Sequence, residues 1–271
     1  MPTKQVPVAR GRFEIEVVEE GSGPPLVFLH GISGLQWSPF MDALARDHTV
    51  IAPRHPGFGD ASQEELDTVH DLVYAYLDLL DALDLRGVPL LGHSLGGMIA
   101  AELAATQPER FSSVALYAPM GFFHVDEPTF DFFACTPREM AAAFFVDPAG
   151  EAAQTSGEAG LMRMVQAGVK SETGSELVET YVERAKTLAT AAKYLWPLPN
   201  RGLWKRIHRI SAPTTIIWGR SDGVVPPAYA QDFLDAIPGA RVEWIEGASH
   251  ELLLEQPEAC LAAARDALAV G

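Results

Sequence analysis

Val88-Pro89-Leu90-Leu91-Gly92-His93-Ser94-Leu95-Gly96-Gly97-Met98-Ile99-Ala100 is the stretch whose reading decides the fold. A short apolar run leads into Gly-His-Ser-Leu-Gly and then into a helix-like segment ending near Ala105. The pattern predicts a buried strand, a tight turn and a helix. Ser94 falls on the turn, at the carboxyl end of the strand. Gly92 and Gly96 suit a turn in which backbone packs on backbone, because a Cβ at either position would collide with the neighbouring strand or helix. The five-residue pattern is short enough to arise by chance, so its meaning depends on what the rest of the chain supplies.

Of the 271 residues, 48% are hydrophobic and 21% charged, enough apolar material for one large domain or a core with an insertion. The net charge of −16 opposes phosphate-bearing partners, so neither nucleic acid nor an anionic membrane surface is expected. No apolar run approaches the length of a membrane span, and no apolar core follows the basic residues of 1–12 as it would in a secretory signal. A soluble, cytoplasmic protein is expected. Glycine and proline are spread along the chain, with no low-complexity linker and no internal repeat. Cys135 and Cys260 lie in no metal-ligand spacing and read as buried free thiols, a bridge between them being the alternative.

Working outward from Ser94, strands alternate with helices. Phe13, Ile15 and Val17 alternate with polar residues as in a half-exposed strand. Pro25–Leu29 and Thr49–Ala52 are continuous apolar runs, as in strands buried on both faces. A helix with Trp37, Phe40, Met41, Leu44 and Ala45 on its inner face is predicted between them. Leu66 to Leu85 has helical spacing, and Phe111–Tyr117 is the next strand. This succession predicts an α/β fold with a mostly parallel sheet. From about residue 122 to 205 the strand signal disappears. Thr136-Pro137-Arg138-Glu139 reads as a capped helix start, with further helices over 157–169 and 175–192. The aromatic and methionine side chains of this stretch, including Phe132, Phe144, Phe145, Met162, Met164 and Tyr194, read mainly as its own small core. Thr214–Trp218 and Arg241–Ile245 restore the strand pattern, and a final helix covers about 256–270. The predicted organisation is a core of residues 1–121 and 206–271 with a helical insertion at 122–205.

A serine hydroxyl is a poor nucleophile at neutral pH and needs a base, which in turn needs an orienting acid. Asp222 lies just past one predicted strand and His250 just past the next, where an open parallel sheet gathers its functional groups. Asp222 alternatively caps a helix ahead of Pro226. Glu251 adjoins His250 and points away if His250 points into the site. His30 and His93 read as structural. His55, in a loop directed toward the insertion, is a candidate for substrate contact. His48, His70, His124 and His208 read as surface or boundary residues.

The sequence resembles the α/β-hydrolase superfamily, in its branch with a helical cap. The resemblance rests on His30-Gly31, the Pro56-Gly57-Phe58-Gly59 loop, Gly-His-Ser-Leu-Gly-Gly, Trp218-Gly219-x-x-Asp222 followed by Val225-Pro226, and the late Gly-x-x-His250. It implies an eight-stranded, mostly parallel sheet and a catalytic triad of Ser94, His250 and Asp222. It also implies an oxyanion hole from the backbone N–H groups of Leu95 and Ile32. Leu95 suits that role because the first amides of a helix are unpaired and favour an anion. One departure is that Pro53-Arg54-His55 stands where the family often carries an Asp before Pro-Gly.

The expected chemistry is hydrolysis of a small or medium, largely apolar carboxylic ester or lactone through an acyl-enzyme. Trp37, Met120, Phe122, Phe123, Trp196 and Val224 are the candidate pocket lining. Similar proteins cleave carbon–carbon bonds of ring-fission products, act as perhydrolases or haloperoxidases, or run as lyases on the same triad; a non-catalytic ligand receptor is the remaining alternative. A small-molecule substrate is expected, with no cofactor and no metal: there is no dinucleotide fingerprint, Walker motif or His-Glu-x-x-His. The oligomeric state is left open.

Overall fold

The computed structural model describes residues 2–58, 65–155, 174–198 and 201–269. Among them, eight strands form one sheet in the order β1-β2-β4-β3-β5-β6-β7-β8. These are β1 (Thr3–Val8), β2 (Phe13–Gly21), β3 (Pro25–Leu29), β4 (Thr49–Pro53), β5 (Val88–His93), β6 (Phe111–Tyr117), β7 (Thr214–Gly219) and β8 (Arg241–Ile245). β2 runs antiparallel to both of its neighbours, β1 and β4, and the remaining pairs are parallel. β1 was not anticipated. Its six residues include Pro7 and Lys4, and only Val6 and Val8 are buried, which is too short an alternation to read as a strand.

Helix α1 (Pro39–Leu44) starts at the Ser38 cap, so Trp37 lies before it rather than on its inner face. Helix α2 (Val69–Ala82) begins with a reciprocal Thr68–Asp71 capping box. Helix α3 (Leu95–Thr106) is buried from Leu95 to Ala105, on every face, as its nearly uniform apolar sequence requires. Its one charged residue, Glu102, receives two hydrogen bonds from Arg206, at 2.8 and 2.5 Å.

No strand lies between Tyr117 and Thr214 among the described residues. Helices α4 (Pro137–Phe144), α5 (Glu151–Thr155) and α6 (Gly174–Leu195) occupy that stretch. The expected capping box of α4 is present, Thr136 pairing with Glu139. The helix expected at 157–169, with Met162 and Met164, and Gly59 of the loop motif lie outside the described residues. Phe132, Phe144, Phe145 and Tyr194 do not form a separate small core; they belong to the same hydrophobic cluster as the sheet. Beyond β7 come α7 (Ala230–Ala236), α8 (Leu252–Glu255) and α9 (Pro257–Leu268). The closing helix read from the sequence at about 256–270 is α9; the short α8 just ahead of it was not anticipated. No disulfide joins the two cysteines; Cys260 is buried and Cys135 half-buried. No described helix is long and apolar enough to cross a membrane.

The Glu102–Arg206 pair ties the chain leaving the insertion to the buried helix behind Ser94. Removing one partner strands a charge in low dielectric. Arg206→Ala is expected to lower the unfolding free energy by about 3 kcal/mol in urea denaturation, with Arg206→Lys recovering part of the loss.

Candidate active site

Ser94 sits between β5 and α3 with φ 56° and ψ −115°, a conformation that L-residues avoid and that persists only where its surroundings impose it. The surroundings are backbone. A Cβ on Gly92 would stand 2.4 Å from the Gly96 carbonyl oxygen, and one on Gly96 would stand 2.2 Å from that of Leu29 in β3. The Ser94 amide donates to Tyr117 O at 2.9 Å, and the Ser94 carbonyl accepts from Met98 and Met120 N–H, both at 3.1 Å. The turn is therefore tied to both neighbouring strand ends.

His250 Nε2 lies 2.8 Å from Ser94 Oγ. On the other edge of the ring, Nδ1–H donates to Asp222, at 3.0 Å to Oδ2 and 3.2 Å to Oδ1. That donation fixes the tautomer and leaves Nε2 as the acceptor for the serine proton. Asp222 also does the local work of a cap: its Oδ1 accepts from the amides of Val224 and Val225, at 2.8 and 2.9 Å. The Trp218 indole holds the same loop by donating to Val225 O at 3.2 Å. Burial by itself lowers the His250 pKa, but the charge and hydrogen bond of Asp222 and the nearby Glu251 outweigh it, and the net shift is upward. Among the described residues, neither the Ile32 amide nor the Leu95 amide has a hydrogen-bond partner. Both flank the serine, Ile32 on the loop after β3 and Leu95 at the first turn of α3.

The segment that carries His250 is held by residues 143–146. Ser249 Oγ donates to Ala143 O at 2.9 Å, the Glu251 amide donates to Phe144 O at 3.1 Å, and the Phe144 ring packs edge-on against His250. Glu255 accepts from the amides of Ser249 and Val146, at 2.6 and 2.7 Å.

A cavity of about 60 Å³ is lined by Gly31, Ser33, His93, Phe144 and Glu251 together with apolar residues that include Phe28 and Met41; neither Ser94 nor His250 lines it. None of the six expected lining residues borders it. Trp37 is held at the surface end of α1 by its bond to Asp42, and Phe122 packs against Phe233. Phe123 is half-buried. Trp196 is 49% exposed and leans on Phe133. Met120 and Val224 are buried close to the triad side chains, engaged through their backbones. The sequence reading missed Glu251, which lines the cavity rather than pointing away. Burial raises its pKa.

His55 does not face the insertion either. It is 1% exposed, with Nδ1 on the Tyr76 hydroxyl and Nε2–H donating to His30 O at 2.7 Å. Its amide donates to His30 Nε2 at 2.9 Å, and His30 Nδ1–H donates to Gly31 O at 2.7 Å. Every ring nitrogen in this pair is committed as donor or acceptor in the neutral form. Arg54, at the departure from the family pattern, pairs with Glu16 of β2 at 3.2 Å.

The arrangement belongs to a recognised class. The chain belongs to the alpha/beta hydrolase fold family, whose model matches residues 24–257, and is a hydrolase. It is 28% identical over 260 residues to 2-hydroxy-6-oxo-6-phenylhexa-2,4-dienoate hydrolase of Comamonas testosteroni, covering 88% of this chain and 85% of that one. It is 27% identical over 264 residues to polyketide synthase ThaQ of Burkholderia thailandensis, of which it spans only 12% while 92% of this chain is matched. Among solved structures, serine hydrolase CCSP0084 of Cycloclasticus zankles superposes with a TM-score of 0.74 at 19% identity, over 97% of this chain and 96% of that one.

Burial lowers the pKa of His55 to about 4 and that of His93 to about 3, and lowers His30 well below 6.5. Below 6.5 the unfolded chain therefore binds more protons than the folded one, so stability falls as pH drops from about 6.5 toward about 4. His55 alone accounts for about 3 kcal/mol of that loss. Thermal denaturation across this window is expected to show a shallower pH slope in His55→Gln than in the wild type.

Proposed function

We propose that the protein is a serine hydrolase of small or medium carboxylic esters, with Ser94 as nucleophile, His250 as base and Asp222 as the orienting acid. The observation that carries this reading is the unbroken line from Asp222 through His250 to Ser94 Oγ, beside two unpartnered amides. Ser94 Oγ attacks the ester carbonyl carbon and gives its proton to His250 Nε2. The Ile32 and Leu95 amides hold the negative oxygen of the tetrahedral intermediate. The bond to the alcohol oxygen breaks, and His250 returns the proton to that oxygen. Water then repeats the sequence: it gives a proton to His250, attacks the acyl carbon, and releases the acid with Ser94 reprotonated. Residues 122–205 serve as the cap over this centre.

A second reading is cleavage of a carbon–carbon bond in a ring-fission product, favoured by the extent of the match to the Comamonas hydrolase. That relative's named substrate is a dienoate and carries its own carboxylate.

The test uses p-nitrophenyl esters of rising acyl length and a fluorophosphonate probe. The wild type is expected to turn over short and medium esters and to be labelled at Ser94. Ser94→Ala is expected to lose about 10³-fold or more in kcat and all labelling. Equal turnover by the variant would sink the assignment. Because the base must be neutral to accept a proton, kcat/KM is expected to rise with pH along a limb whose midpoint lies above the 6.5 of an ordinary histidine.

A further inference from the structure

Asp222 and His250 stand on separate loops, one after β7 and one after β8. How well the acid meets the base depends on how those loops are joined. The two strands end as a parallel pair at Gly219 and Ile245. Their pairing continues past the strand ends: the Arg220 amide donates to Ile245 O and the Ser221 amide to Ala248 O, both at 3.0 Å. The next amide, that of Asp222, turns back to Gly219 O at 3.3 Å. A side chain makes the following rung. The Gly223 amide donates to Ser249 Oγ at 3.3 Å, and that hydroxyl gives its own proton to Ala143 O at 2.9 Å. One bond accepted and one donated is what a serine hydroxyl can supply. Gly223 directly follows Asp222 and Ser249 directly precedes His250, so the rung lies one residue from each partner.

Backbone crowds this junction. A Cβ on Gly219 would stand 2.4 Å from Ser249 O, and one on Gly223 would stand 2.7 Å from Ala143 O. Ser249 and Ala143 are both buried, and the Ser249 amide is committed to Glu255 at 2.6 Å. We infer that Ser249 is a positioning residue: its hydroxyl holds the Asp222 loop, the His250 segment and the end of α4 in one register, and so sets the alignment of the acid on the base. The inference rests on the reading of Ser94, His250 and Asp222 as a triad. Ser249 acts through the bond from His250 Nδ1 to Asp222 rather than on a substrate.

That bond has a pH signature. The titratable groups facing His250 are Asp222 from the loop after β7, Glu251 from its own segment and His93 from the end of β5; Glu255 of α8 holds the Ser249 amide. Burial lowers the His250 pKa, and Asp222 and Glu251 raise it. A loosened Asp222 leaves burial less opposed, so the pKa falls. No titratable group near His250 is removed when the Ser249 hydroxyl is.

The experiment follows the rate at which a fluorophosphonate labels Ser94, as a function of pH, in the wild type, Ser249→Ala and Ser249→Cys. Labelling needs the neutral base but no knowledge of the natural substrate. Alanine removes both hydrogen bonds, and cysteine keeps the bulk with only weak ones. Both variants are expected to label about tenfold more slowly on the plateau, the cost of a small misplacement. In both, the midpoint of the rising limb is expected to move to lower pH. A midpoint in Ser249→Ala that is unchanged or raised would overturn the inference and leave the triad reading intact. A wild-type midpoint in Ser249→Cys would also overturn it, because bulk rather than hydrogen bonding would then hold the loops. Absence of labelling in the wild type would overturn the triad reading and this inference with it.

Discussion

Everything at the site depends on how closely α3 approaches the strands beneath it. Backbone meets backbone where Gly96 faces the Leu29 and His30 carbonyls and where Gly92 faces Gly96. No side chain larger than hydrogen fits either gap, and the gaps are what hold Ser94 at a positive φ with its hydroxyl toward His250. The strain is local, yet the restraint comes from strands β3, β5 and β6 together. The same contact brings the loop after β3 alongside the first turn of α3, so two amides from distant parts of the chain end up on one side of one hydroxyl.

Around that contact the hydrogen bonds assign protons with little freedom. His250, His93, His30 and His55 each have one nitrogen facing a group that can only accept. Four imidazoles in a small volume would repel one another if charged, and burial disfavours the charged form of each. Only His250 has a carboxylate aimed at its ring. Asp222 therefore favours the charged form at His250 while burial disfavours it at the neighbouring histidines, a difference set by partners rather than by residue type.

The parts legible in the sequence were those encoded locally. The Gly-His-Ser-Leu-Gly turn, the apolar runs of the parallel strands and the Thr136–Glu139 capping box each depend on residues a few positions apart. Position at a strand end was enough to pick out Asp222 and His250, because a parallel sheet brings all such ends to one edge. What the sequence did not show depends on tertiary packing. His55 turns inward because Tyr76, twenty-one residues on, offers it a hydroxyl. Trp196 and Phe144 look alike as aromatic residues of the insertion, and only packing decides that one is exposed while the other covers His250. Glu251 reads as the residue that must face away from its neighbour; the chain turns into α8 there, and Glu251 lines the cavity while His250 reaches Ser94.

The bonds from Ser249 and Glu251 to the last carbonyls of α4 couple two regions that the order of the chain keeps apart. Residues 137–145 fall in the stretch without strands by sequence, but mechanically they belong with the loop that carries His250. The insertion is therefore not a module that can be exchanged for a relative's without cost. A graft that displaces the end of α4 displaces the segment that carries His250, so recombination breakpoints that leave it in place lie after Val146 rather than at the junction with the sheet.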